Sequence, residues 1–150
     1  MKSLAPIAKA YQVVDAYLAH EEERVLPNAK ARWTNVRTIN DQAYFVVIFA
    51  QLEAHVNEQW EKLVRRKRTA PWPRRRLWEN IDLKQLERIS FKDKVALLIN
   101  KETDAYKKII QYSAIRNRLA HGELSSTSPV AIDSVIVEIG HLARQLRAQS

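Results

Sequence analysis

The sequence predicts an all-α fold: a single-domain bundle of about five helices carrying a basic loop insertion. Three observations support this. Apolar residues recur at intervals of three and four through several long stretches, which is the period of one helix face. Only 2 of the 150 residues are glycine, so punctuation is sparse. A chain of 150 residues suits one core, and neither an internal repeat nor a dividing linker is visible.

Residues 4–26 read as the first helix, with Leu4, Tyr11, Val14, Leu18 and Val25 at helical spacing. Glu21, Glu22 and Glu23 form a solvated face, and Pro27-Asn28 ends the run. Residues 29–39, with Lys30, Arg32 and Arg37 around Trp33, read as a loop or a short helix. A second long helix starts at Asn40 or Asp41, either of which can serve as N-cap, and runs to about Arg66. Val46, Val47 and Ile48 are β-branched, yet the length of the run favours helix over strand. Its first half is apolar all round, as expected of the central buried helix. Val46, Phe49, Glu53, Val56 and Trp60 share one face, and Glu53 interrupts it. His55 lies on another face and reads as a half-exposed structural histidine.

Residues 62–76 hold eight basic residues and no acid. Pro71 and Pro73 break any helix there, so the stretch reads as a loop. Arg65, Arg66, Arg68, Arg74, Arg75 and Arg76 offer phosphate attraction, and Trp72 and Trp78 offer stacking surfaces for unpaired bases. The competing reading is a solvated basic loop whose tryptophans pack on the core. Residues 82–89 and 91–99 read as two short helical pieces, the second capped by Ser90 with Asp93 three residues on. A further helix runs from about Glu102 to His121. After a polar loop at 123–128, Ser128-Pro129 makes a good helix start. The last helix carries a wide stripe of Ile132, Val135, Ile136, Ile139, Leu142, Ala143 and Leu146. With Val130 and Val137 beside it, that surface exceeds what one face of a small bundle needs, and a part of it suits a dimer contact.

The totals exclude several classes. There are no cysteines, so disulfides and thiolate metal sites are out; a cytoplasmic setting fits. The longest apolar run, residues 43–50, is too short to span a bilayer, so no membrane partner is expected. No continuous apolar stretch near the start reads as a signal peptide. His20, His55, His121 and His141 lack the carboxylate or thiolate spacing of a closed metal site, and no cofactor motif such as a glycine-rich phosphate loop is present. The formal net charge is +8, which favours a polyanion such as nucleic acid.

The candidate site is the string Ile115-Arg116-Asn117-Arg118-Leu119-Ala120-His121-Gly122. With Ile109 as origin, Ala105, Tyr106, Tyr112, Ser113 and Ala120 share the buried face, and Lys107, Gln111 and Arg118 look to solvent. Arg116 breaks the pattern by projecting from the apolar stripe, so it needs a partner or a cleft. Glu53 is the matching misfit on the central helix, and the pair would orient the guanidinium. Asn117 and His121 are four residues apart on one face, and Gly122 reads as the left-handed stop. An Arg, an amide and a His at one helix end suit a phosphodiester. The structural alternative makes His121 a C-capping residue and Arg116 the buried ion-pair partner of Glu53.

The string Arg116-Asn117-Arg118-Leu119-Ala120-His121-Gly122 resembles the signature of HEPN domains: an Arg, a polar residue, and a His four to six residues after the Arg. The likeness covers the helical layout of most of the chain, but only this string is specific. It implies a metal-independent ribonuclease, or an inactive RNA-binding or scaffold version, with the motifs of two subunits meeting in a homodimer. Some members carry an acidic residue where Glu53 stands. Some toxins of the family are silenced by nucleotidylation of a tyrosine two residues after the His. Here that position is Glu123, which puts that control in doubt and leaves room for a toxin or defence effector held by an inhibitor protein.

RNA cleavage of this kind asks little of the protein. His121 would act as acid or base, Arg116 would stabilise the phosphorane charge and Asn117 would orient the phosphate. Arg118 points outward as a substrate contact. One histidine is thin for two proton transfers, which a twofold dimer would remedy. The competing classes are a non-catalytic RNA- or protein-binding module and, ranked below it, a basic DNA-binding bundle without a convincing helix-turn-helix.

Overall fold

One helix of 42 residues, Pro27–Arg68, organises the fold. At 1.5 Å per residue it is about 63 Å long, and the rest of the chain is arranged along it. The computed structural model describes residues 3–80, 88–123 and 131–148. Among them are six helices and no strand: α1 (Ala5–Arg24), α2 (Pro27–Arg68), α3 (Trp72–Glu79), α4 (Phe91–Leu98), α5 (Asp104–Ala120) and α6 (Ile132–Ala148). The fold is an all-α, single helical domain. No described helix is long and apolar enough to cross a membrane.

The expected loop or short helix at 29–39, and the expected helix start at Asn40 or Asp41, are both corrected. α2 is continuous from Pro27, whose fixed φ suits the first helical turn after an extended Leu26. The segment lacks a wide apolar stripe because polar clamps to the antiparallel α1 hold it. Arg37 donates to Asp15 from Nε (3.1 Å) and Nη2 (3.2 Å) and to Glu22 from Nη1 (3.0 Å). Asp41 does not cap; its Oδ1 accepts from the Tyr11 hydroxyl at 2.9 Å. Tyr11 also packs edge-on against Tyr44, with ring centroids 5.3 Å apart.

α2 is buried on one side, where Phe45, Ile48, Phe49, Leu52, Val56 and Trp60 enter the core. The expectation that its first half is buried all round is corrected: Ala43, Val47 and Ala50 are exposed, in line with Val36, Ile39 and Ala54. His55 is also corrected, from half-exposed to 2% exposed. It turns toward α6, its Nε2 3.2 Å from the Ala143 carbonyl oxygen.

The basic stretch is a helical corner rather than a loop. Lys62–Arg68 completes α2, and α3 begins at Trp72 after a break at 69–71. Pro71 stands at the N-cap of α3 and Pro73 in its first turn, where a missing N–H costs nothing. Of the two short pieces, residues 82–87 of the first lie outside the described residues. The second is α4, capped as expected by Ser90, whose Oγ accepts from the Asp93 N–H at 3.2 Å. The Ser128-Pro129 helix start and Val130 also lie outside the described residues. On α6, Ile132, Val135, Ile139, Leu142, Ala143 and Leu146 are buried and Ile136 is packed against the core. Of the expected surplus, Val137 is described and is exposed. The stripe is consumed inside the protomer because α6 lies along α2.

Candidate functional site

α5 is held at both ends by its own sequence. Thr103 Oγ accepts from the Tyr106 N–H at 3.3 Å at its start. At its end the Gly122 N–H donates to Leu119 O and the Glu123 N–H to Arg118 O, each at 3.1 Å. Those two bonds, with Gly122 at φ 83°, make a Schellman stop. A side chain at Gly122 would meet nothing within 4 Å, so the backbone conformation demands glycine there, not lack of space.

The buried face of α5 is Ala105, Tyr106, Ile109, Tyr112 and Leu119. Ser113 is half-buried, and Ala120, expected inside, is exposed. Side chains lean toward the helix N-terminus, so the longer Leu119 reaches back to the core where Ala120 cannot. Tyr112 packs edge-on against Phe45, with centroids 5.6 Å apart. Its hydroxyl donates to Glu138 of α6, which also pairs with Lys108 at 3.1 Å. Burial, then the bond to Glu138, push the Tyr112 phenol well above its ordinary range. The same bond, with Lys108, holds the Glu138 carboxyl below its own.

One turn beyond Tyr112, Arg116 meets Glu53 as the sequence predicts. Its Nη2 donates to Glu53 Oε1, and its Nη1 donates to Asn117 Oδ1 at 2.9 Å. Its guanidinium carbon lies 5.8 Å from the centre of the Phe49 ring. The Nε is buried and has no hydrogen-bond partner among the described residues. The Arg116 side chain is 30% exposed and that of Glu53 25%, so the pair is not sealed in the core.

Asn117, Arg118 and His121 are exposed. His121 is the C-cap, and its N–H donates to Asn117 O and Arg118 O, each at 3.1 Å. The cluster therefore joins Arg116, Asn117 and Glu53 through side chains and His121 through the backbone. His121 caps with its main chain, which leaves the ring at the surface.

The basic residues do not converge on this cluster. Twelve residues of α2 separate Glu53 from Arg65, about 18 Å along the helix. The contacts of α5 advance along α2 in the same sense, Tyr112 on Phe45 and Arg116 on Phe49 and Glu53, so the His121 end points toward the basic corner. There Arg66, Arg74 and Arg76 are exposed. Arg65 pairs with Glu61 at 3.7 Å and Arg75 with Glu79 at 2.8 Å. Arg68 is structural: its Nε donates to Trp78 O at 3.0 Å and its Nη2 to Glu79 O at 3.4 Å, capping the end of α3. The two tryptophans divide. Trp78 packs on Trp60, with ring centroids 6.1 Å apart, while Trp72 is 59% exposed.

Sequence reasoning missed Lys94 and Asn57. Lys94 of α4 donates from Nζ to Asn57 Oδ1 at 2.8 Å. Asn57 is one helical turn beyond Glu53. No local signal marks the pair, since the contact joins residues 37 positions apart.

Among the described residues, no group of three or more His, Asp or Glu is placed to hold a metal ion. Comparison with known proteins returns no matching family model, no significantly similar curated sequence and no significantly similar solved structure. A function therefore has to be argued from the side chains themselves.

Proposed function

We propose that this chain is a metal-independent endoribonuclease of the HEPN kind, working as a homodimer on single-stranded RNA. The observation that carries the reading is the placement of Arg116. It is fixed by Glu53 and Asn117, yet still partly open to solvent, on the helix that ends at the exposed His121. A cation so held can meet a phosphate without first being ordered. In the reaction, the ribose 2′-oxygen attacks the adjacent phosphorus as a base takes its proton. The bond to the 5′-oxygen breaks, and an acid protonates that oxygen. The products are a 2′,3′-cyclic phosphate and a 5′-hydroxyl. Arg116 stabilises the phosphorane, Asn117 orients it, and His121 of each protomer supplies one proton transfer. Trp72, Arg66, Arg74, Arg76 and Arg118 hold the strand.

The dimer of this reading needs an uncharged face, and α2 has one. Val36, Ile39, Ala43, Val47, Ala50 and Ala54 are exposed and lie within about 40° of one line on the helix, over about 27 Å. That line runs past Glu53, so a second copy seated on it would approach the cluster. A toxin or defence effector held by an inhibitor protein fits the same chemistry.

The second reading is a non-catalytic RNA- or protein-binding module. It is favoured by the Glu53 carboxylate, which already neutralises Arg116. Incubation of RNA with wild type, Arg116→Ala and His121→Ala decides between them. Cyclic-phosphate products from wild type, lost in both variants and on 2′-deoxy substitution at the cut site, are expected. Unchanged cleavage by either variant removes that residue from the mechanism, and no cleavage by wild type leaves the module.

A further inference from the structure

The charges around Arg116 sum to zero: one guanidinium, one carboxylate from Glu53. A phosphate arriving at that pair meets a negative neighbour, and attraction must come from elsewhere. The nearest lines of the fold supply it. Along one side of α2, Phe49, Glu53 and Asn57 follow at intervals of four residues, so their side chains stand on neighbouring turns. The Phe49 ring is shared by Arg116 of α5, 5.8 Å from its centre, and by Phe91 of α4, whose centroid is 5.6 Å away. Lys94 is one turn beyond Phe91, and its Nζ donates to Asn57 Oδ1 at 2.8 Å. α4 and α5 thus bracket Glu53, one placing a guanidinium on it and the other an ammonium one turn further along.

The two cations are in different electrical states. Arg116 is paired with a carboxylate. Lys94 is positioned by a neutral amide and makes no ion pair with any described residue. An ammonium held by an amide keeps its full charge and two further N–H donors for an incoming oxyanion. Lys94 is half-buried and its ammonium is held by Asn57, so less rotamer freedom remains to be lost when a ligand binds.

We infer that Lys94, positioned by Asn57, is the phosphate-binding cation of this end of the bundle and holds the phosphodiester next to the one presented to Arg116. The inference rests on the RNA reading given above and adds a residue and a task to it. Lys94 is a binding residue: it touches a phosphate that is not the reacting one.

The test uses the full chain and a 2′-O-methyl oligouridine of about 12 nucleotides, which binds but lacks the free nucleophile. Affinity is measured against salt for wild type, Lys94→Met, Lys94→Arg and Lys107→Met. Lys107 is the net-charge control, since it is exposed on the solvent face of α5. Methionine keeps the apolar stem of Lys94, and melting curves check that each variant folds. Lys94→Met is expected to weaken binding about tenfold and to lower the salt slope by about one. Lys94→Arg should keep both near wild type, and Lys107→Met should leave the affinity at low salt within about twofold. Equal losses in Lys94→Met and Lys107→Met would show net charge alone and overturn the inference. Cleavage of unmodified RNA that depends on His121, with no effect of Lys94→Met on binding, would sink the Lys94 site and leave the nuclease. A Lys94-specific loss in a protein that cuts nothing would do the reverse. Absence of salt-dependent binding by wild type would overturn both.

Discussion

Replacing Arg116 by methionine separates what the guanidinium does for the fold from what it does for a substrate. Methionine keeps the apolar stem and removes the guanidinium, whose carbon lies over the Phe49 ring. The pair with Glu53 is 30% and 25% exposed, between the surface case, worth about 0–1 kcal/mol, and the buried case, where breaking a pair costs about 3–5 kcal/mol. The contact with Phe49 adds about 0.5–1 kcal/mol. Against this, the variant loses a buried Nε with no hydrogen-bond partner among the described residues, whose desolvation is a cost in the wild type. The net expectation is a destabilisation of about 1–2 kcal/mol. For a chain of this size that lowers the midpoint by roughly 2–8 °C. A double-mutant cycle with Glu53→Gln should return a coupling of about 1 kcal/mol. Cleavage should fall about 100-fold or more, the scale for one donor to a developing oxyanion. The assays are thermal melts of the four proteins and RNA cleavage at a temperature well below every midpoint. If Arg116→Met destabilises by more than about 4 kcal/mol, the residue is a core ion-pair member. If cleavage returns to wild-type rates on cooling, the loss was one of folding, and the catalytic assignment fails.

Two further predictions concern the basic corner and the contact between α1 and α2. Trp72→Ala should weaken single-stranded RNA binding by about 1–3 kcal/mol and leave the melting temperature unchanged, whereas Trp78→Ala should do the reverse through its contact with Trp60; equal effects of the two on binding would refute the division. The second is Asp41→Asn. Burial raises the Asp41 carboxyl above its ordinary 3.8, partly offset by the bond from Tyr11, with Asp15 and Arg37 acting on it as well. A raised carboxyl favours the fold at low pH and loses that contribution as pH climbs through the folded value. Asparagine keeps the acceptor for Tyr11 and removes the charge. Its midpoint should therefore exceed the wild type's at pH 7, and the gap should close toward pH 3. A variant less stable than wild type at pH 7 would show that the carboxylate charge is needed.

Most of the helices and the heart of the site are legible in the sequence because they obey local rules. Ser90 with Asp93, and Gly122 after His121, each mark a helix end by their own chemistry. The Arg116–Glu53 pair is legible as two misfits of opposite charge on apolar faces. What escapes is tertiary. Residues 29–39 read as a loop or a short helix because Arg37 and Thr34, not an apolar stripe, attach them to α1. His55 looks half-exposed because nothing in its own helix announces that α6 covers it. The prolines at 71 and 73 signal a break correctly, but they start α3 as well as end α2. The exposed line from Val36 to Ala54 is hidden in an apolar run whose two sides differ only once the neighbours are in place.

The Arg116–Glu53 pair is not what stability alone would select. An apolar side chain at 116 would continue the face of Ile109 and Tyr112, and well-packed apolar replacements of such pairs are often neutral or stabilising. The buried Nε, without a partner among the described residues, makes the guanidinium costlier still. What the pair does supply is orientation: Glu53 and Asn117 each take one terminal nitrogen of Arg116 and fix the plane of the fork. The same economy explains the division of labour along α2. A guanidinium already neutralised is poor at drawing in an anion but good at holding a fixed geometry. In the proposed reading, the drawing in falls to Lys94, which is held by an amide, and to the exposed cations of the basic corner. Recruitment and positioning then reside in different residues, so Glu53→Gln should change cleavage more than RNA affinity, and Lys94→Met should change affinity more than the chemical step.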